Sequence, residues 1–321
     1  MDVKAVIDKA VVGLPDGEQK RRLQYILNHI DVAIAHLTNG QDEGKTHLFT
    51  DVVYRCNQAY EGSIKEAYRS LADKDPQSKS SYQIEKYLED KEILRPRVLD
   101  QLRRYRQEWR NPSTHDYTED FDEDEAFLAI MSIVAFAKVC VTQIAQKAAF
   151  EAAQAVASKA TTPERPTASL ADTISYFAEQ FFSQEVHDRF TTSTAPLPES
   201  EISAAFGGFL SIIPEAEVLL EVNVSQKSRN RADLVVNHAN EHAVIELKSF
   251  RANNSLGSAL NSLDQLLGQI PEASGIAILY DLDKIDYVTY DIGESRGGKP
   301  RLLIAPPTDP FDVLFERIGD G

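Results

Sequence analysis

Apolar residues recur at helical spacing through the first half of the chain. Leu23, Ile26, Leu27, Ile30, Val32, Ile34 and Leu37 predict an amphipathic helix over residues 17–38, ended by Asn39-Gly40. A second helix is predicted over 46–73, on Leu48, Val52, Val53, Ala59, Ile64, Ala67 and Leu71. Residues 74–81 form a loop broken by Pro76, followed by shorter helices at Tyr82 to Lys91 and Arg97 to Trp109. The last helix of this half is predicted from Phe121 to about Lys159. It opens on Asp122-Glu123-Asp124-Glu125, acids that suit a helix N-terminus. The most apolar run, Phe127 to Ala137, is cut by Lys138 and falls short of the ~20 residues a bilayer span needs. It reads as a buried helix. Nothing before residue 160 has strand periodicity, so this half is a helical bundle.

The pattern then changes. Thr161-Thr162-Pro163 and Arg165-Pro166-Thr167 break helices and lack apolar periodicity. They predict a linker at 161–172 between domains at 1–160 and 173–321. Helices are expected at Thr173 to Arg189 and over 199–212, then a strand from Glu217 to Val224. The run Ala232 to Val236 reads as a buried strand. Residues Asn237 to Glu241 form a turn, and Ala243 to Phe250 alternates strictly. A helix over 255–270 carries Leu256, Leu260, Leu263, Leu267 and Ile270 on one stripe. Strands follow at Ser274 to Leu282, Asp286 to Ile292 and Arg301 to Ile304, with a short helix near 310–318.

The hairpin at 232–250 carries the most distinctive chemistry. Alternation turns Val244, Glu246 and Lys248 to one side, and the partner strand brings Asp233 beside them. Two carboxylates suit Mg²⁺, which takes one or two protein carboxylates and keeps several waters. Such an ion can activate water and stabilise the leaving oxygen of a phosphodiester. The bland alternative is an exposed hairpin face with an ordinary Glu/Lys pair.

Asp233 followed by Glu246-Leu247-Lys248 resembles the PD-(D/E)xK nuclease superfamily, over about residues 196–285. The elements expected there match that family's αβββαβ core. Ala232 stands where the family's name has proline, and Arg231 resembles its common R-x-D. The resemblance implies that Asp233 and Glu246 bind Mg²⁺ or Mn²⁺ and that Lys248 is catalytic. It implies that Glu201, on the preceding helix, completes the metal site, with Glu199 and Glu221 as rivals for that role. Gln265 matches a glutamine found in several branches.

In the helical half, Arg110-Asn111-Pro112-Ser113-Thr114-His115 lies between the arginine-bearing helix and the last long one. It resembles the R-x(4–6)-H motif of the HEPN superfamily, over about residues 15–150. That resemblance implies a dimer-shared, metal-independent ribonuclease site. His115 would move protons, Arg110 would stabilise charge on the phosphate, and Asn111 would orient groups. The alternative is a structural corner, with Arg110 paired to the acidic run Asp116 to Glu125.

The net charge of −16 excludes a protein that coats nucleic acid without specificity, though a local site is compatible with it. Basic residues concentrate between Arg95 and Arg110 and at Lys227, Arg229 and Arg231. Two distant cysteines, Cys56 and Cys140, suggest neither a zinc site nor a disulfide framework, which fits a reduced cytoplasm. Charges within MDVKAVIDKAVVG argue against a secretory signal. The expectation is thus an α + α/β protein: a HEPN-like bundle followed by a PD-(D/E)xK domain. It would cleave DNA with Mg²⁺, bind or cleave RNA through the bundle, form a homodimer or higher homo-oligomer, and have no membrane role. By family analogy it is an antiphage defence or stress effector with an operon-encoded partner. The alternatives are a single DNase whose bundle only dimerises, and a non-catalytic nucleic-acid-binding regulator.

Overall fold

A computed structural model describes residues 11, 14, 16–94, 96–111, 113, 118, 120–159, 169–185, 198–224, 230–250, 255–281, 284 and 286–307. The chain is α+β: helices first, then a mixed six-stranded sheet. It divides into two compact units, Met1–Ala148 and Ala149–Gly321.

The first unit holds α1 (Glu18–Glu43), α2 (His47–Ala72), α3 (Ser81–Asp90), α4 (Pro96–Tyr105) with a π-helical turn (Arg106–Arg110), and most of α5 (Glu123–Ala157). Helix α1 outruns its predicted stop at Asn39-Gly40. Gly40 is interior and buried, and a β-carbon there would lie 2.6 Å from the ring of Phe49. The glycine admits a close neighbour, and the helix ends instead at Gly44, whose φ of 63° is left-handed. Ser80 and Gln83 close a capping box on α3. Asp122 and Glu125 exchange the same reciprocal bonds at the start of α5, at 2.9 and 3.0 Å. The core joins Leu23, Leu27, Ile30, Tyr60, Ile64, Ile84, Leu88 and Phe136, all buried. Helix α5 buries Ile133, Ala137, Cys140 and Ile144. It also differs from expectation in reach: its 35 residues include a window of mean hydropathy 2.0, long and apolar enough by composition to cross a membrane.

The second unit adds α6 (Leu170–Gln180) with a π-helical turn (Phe181–Glu185), α7 (Glu199–Leu210), β1 (Glu217–Asn223), β2 (Arg231–His238), β3 (Glu241–Ser249), α8 (Ser255–Leu267), β4 (Ser274–Tyr280), β5 (Val288–Glu294) and β6 (Pro300–Ala305). The start of α6 at Leu170, capped by Ser169, overlaps the end of the expected linker. The division between the two units falls within α5. Most of the expected linker lies outside the described residues, as does the helix expected near 310–318. The strand order is β1-β2-β3-β4-β6-β5. The first three strands are antiparallel, β4 runs parallel to β3 and β6, and β5 is antiparallel to β6.

Helices cover both sheet faces. On one, Leu234, Val236, Ala243, Ile245, Leu247, Ile276 and Ile278 pack with Ile174, Phe181, Phe206 and Phe209. On the other, Val235, Val244, Ala277 and Leu279 pack with Ala259, Leu263 and Leu266 of α8. Alternation along β3 therefore sends Val244 and Glu246 to the α8 face.

Candidate active site

The β2/β3 ladder pairs His238 with Glu241 and continues to Leu234 opposite Ile245. Beyond that pair, side chains replace the backbone bonding. Asp233 Oδ2 accepts the Leu247 N–H at 2.8 Å, and the Asp233 N–H donates to Glu246 Oε1 at 3.4 Å. The β3/β4 ladder persists on the other edge, from Ala243 opposite Ser274 to Ser249 opposite Tyr280. Strand β3 is thus held by β4 while β2 opens from it, and the two carboxylates occupy the opening. On β1, Glu221 lies between Leu220 and Val222, the partners of Leu234 and Ala232, which sets it opposite Asp233. Its φ of 50° breaks the regular strand. Arg231 Nε donates to the Glu221 carbonyl at 3.0 Å and pairs with its carboxylate.

Lys248 lies two residues beyond Glu246. Its Nζ is 3.8 Å from Asp233 Oδ2 and 2.6 Å from Glu199 Oε1. The helical acid reaching Lys248 is therefore Glu199, the rival to Glu201, at the first turn of α7. Two residues on a helix lie about 200° apart, so the two acids cannot share one direction. Glu201 is buried at 7% exposure. Among the described residues no three acidic, histidine or cysteine side chains are grouped to hold a metal.

The pair Asp233/Glu246 is electrostatically loaded. Burial, then the neighbouring Asp233 charge, pushes the Glu246 carboxyl up to about 7, against the opposing Ser262 hydroxyl and Lys248. Burial also raises Asp233, and Glu199 adds to this, while Lys248 and the Leu247 amide oppose it. Burial alone would lower Lys248, but Asp233 and Glu199 outweigh it and hold the ammonium above the ordinary lysine range. Repulsion between the buried Glu246 and the half-buried Asp233 is relieved either by a retained proton or by a cation. Asp233 and Glu246 would hold a Mg²⁺ or Mn²⁺ ion that keeps its other positions for water and phosphate oxygens.

Gln265 is the residue of α8 that the resemblance singled out. It is exposed and accepts from Asn230 Nδ2 at 3.1 Å, while Ser262, one turn earlier on α8, is the helical partner of Glu246. Periodicity placed α8, but it did not single out Ser262. Tyr280, opposite Ser249, also adjoins the site: burial first, then Glu199 and Asp233, raise its phenol and keep it a donor.

In the first unit, Arg110 ends the π-helical turn. Its guanidinium is 3.6 Å from Glu61 of α2 and 3.4 Å from Asn111 Oδ1. Asp116 and Glu119, in the acidic run expected as its structural partner, lie outside the described residues. Ser113 accepts from Asn57 Nδ2 at 2.6 Å and donates to the Arg110 carbonyl at 3.2 Å. Asn57 Oδ1 accepts the Tyr105 hydroxyl at 3.1 Å. His115 lies outside the described residues. Arg106 pairs with Glu85, and Arg103 with Glu89 and Asp100, so these arginines are engaged by acids.

Comparison with protein-family models, curated proteins and solved structures returns no match.

Proposed function

We propose that the second unit is a Mg²⁺-dependent nuclease of the PD-(D/E)xK type, hydrolysing DNA phosphodiesters. The observation that carries this reading is the opening of the hairpin around Asp233 and Glu246, with Lys248 3.8 Å from Asp233. A purely structural hairpin gains nothing from ending its ladder around a buried Glu246 and a half-buried Asp233. The bound ion would supply Lewis acidity to the phosphate and a more acidic water. Asp233 and Glu246 hold and orient that charge. The Lys248 ammonium offers donors to a phosphate oxygen and compensates its negative charge. The Leu247 amide and the Ser262 hydroxyl fix the carboxylate rotamers, as supporting hydrogen bonds do around metal ligands. The test is cleavage of duplex and single-stranded DNA by the full chain in Mg²⁺ and in EDTA, for wild type and Asp233→Ala. Cleavage in Mg²⁺, absent in EDTA and in the folded variant, is expected; equal activity in EDTA would overturn the reading.

For the first unit we propose a HEPN-type bundle that forms a homodimer. The motif's position just before the long α5 supports the architecture. Arg110 lies 3.6 Å from Glu61, so an acid already sits beside the group that would bind phosphate. RNA cleavage in EDTA that disappears in His115→Ala would restore the catalytic alternative. The cytoplasmic defence role, with an operon-encoded partner, follows from pairing these two modules and is proposed on that basis alone.

A further inference from the structure

We infer that Glu199 is a positioning residue for Lys248, and that the site takes one divalent cation on Asp233 and Glu246 rather than a cluster completed by a helical carboxylate. This rests on the nuclease reading above. Lys248 Nζ lies 2.6 Å from Glu199 and 3.8 Å from Asp233. The shorter contact is a charge-assisted hydrogen bond; the longer one is charge proximity alone. A lysine ammonium is a point charge on a flexible stem, so standing in one place requires a fixed partner.

Glu199 is built to be that partner. It follows Pro198, whose ring sets the backbone at the helix entry, with φ −61°. Helix α7 behind it is buried without interruption from Glu201 to Leu210. Gly208 lets its backbone approach the Phe150 carbonyl so closely that a β-carbon would lie 2.1 Å away. The helix is therefore anchored, and its first residue meets Lys248 from a rigid base. Glu199 is engaged by the Lys248 ammonium at 2.6 Å, which leaves Asp233 and Glu246 as the pair open to a cation. A second cation would have to take Glu199 from Lys248.

The experiment uses the full chain, as wild type, Glu199→Ala and Glu199→Gln. Mn²⁺ binding is measured by calorimetry, Lys248 reactivity by reductive methylation and mass spectrometry, and kcat and KM on duplex DNA. One Mn²⁺ per chain with unchanged affinity is expected in all three. Glu199→Ala should lower kcat by roughly ten- to a hundredfold, as for a misplaced catalytic group, with KM little changed. Its Lys248 should methylate faster, and Glu199→Gln, which keeps an acceptor, should recover part of both effects. Mn²⁺ affinity falling by about tenfold or more in Glu199→Ala, with Lys248 methylation unchanged, would make Glu199 a metal ligand and overturn the assignment. Two ions per chain would overturn the stoichiometry. A wild type that binds no Mn²⁺ would sink the nuclease reading itself; the methylation rates, read without metal, tell that failure from an error about Glu199.

Discussion

The Asp233 carboxylate accepts the backbone N–H of Leu247 at 2.8 Å, across the gap where β2 and β3 cease to pair. A side chain thus does the work of a carbonyl. The backbone amide of Asp233 turns toward Glu246 at 3.4 Å. This exchange brings the half-buried Asp233 carboxylate beside the buried Glu246 with no ladder bond that requires it.

The pair should be a stability liability without metal. The folded-state Glu246 carboxyl is raised from 4.5 to about 7, so the folded protein binds its proton more tightly than the unfolded chain does. Its contribution is fully present below pH about 4.5 and is lost as pH rises through about 7. In EDTA, Glu246→Gln should therefore melt above wild type at pH 8, by up to about 3 kcal/mol, and match it near pH 4. Thermal melts across that range check this. A variant less stable than wild type at pH 8 would mean that the charges do not repel.

Lys248→Ala should separate binding from turnover. Mn²⁺ affinity should hold or rise, since a positive charge near the carboxylates is removed, while kcat falls about a hundredfold or more. Calorimetry alongside cleavage rates tests it. A parallel loss of affinity and rate would instead make Lys248 a structural clamp on Asp233.

In the first unit, the buried Glu85 accepts the Tyr60 hydroxyl at 2.7 Å and pairs with Arg106. Burial raises its carboxyl, and Tyr60 and Arg106 oppose that. Glu85→Ala strands both partners and should cost about 2–4 kcal/mol in urea unfolding. Glu85→Gln, which keeps an acceptor for Tyr60, should cost less.

Two glycines should differ in tolerance. A β-carbon at Gly208 meets the Phe150 carbonyl at 2.1 Å, a backbone group that cannot turn aside. Gly208→Ala should destabilise the second unit by about 2 kcal/mol or more. At Gly40 the obstacle is the Phe49 ring at 2.6 Å, a side chain able to rotate. Gly40→Ala should cost less in the same unfolding measurement.

Local pattern alone determined the elements. Strict alternation from Ala243 to Phe250 marked β3 and the side on which Glu246 lies, because a strand's period of two leaves only two faces. Apolar residues at helical spacing marked the helices of the first unit, because burial of one face is what makes them stable. What needed the folded chain was rotational phase and distance. Glu199 and Glu201 are equally good acids on the same predicted turn, and only the packing of α7 chose which one meets Lys248. Ser262 and Gln265 share a stripe, and the seat of α8 on the sheet decided which one reaches Glu246. Gly40 read as a stop because local propensity is blind to Phe49, which lies nine residues on and is brought against it by the turn at Gly44. A helix residue's direction changes by about 100° per position, so an error of one or two positions, invisible to periodicity, is enough to replace one site residue by another.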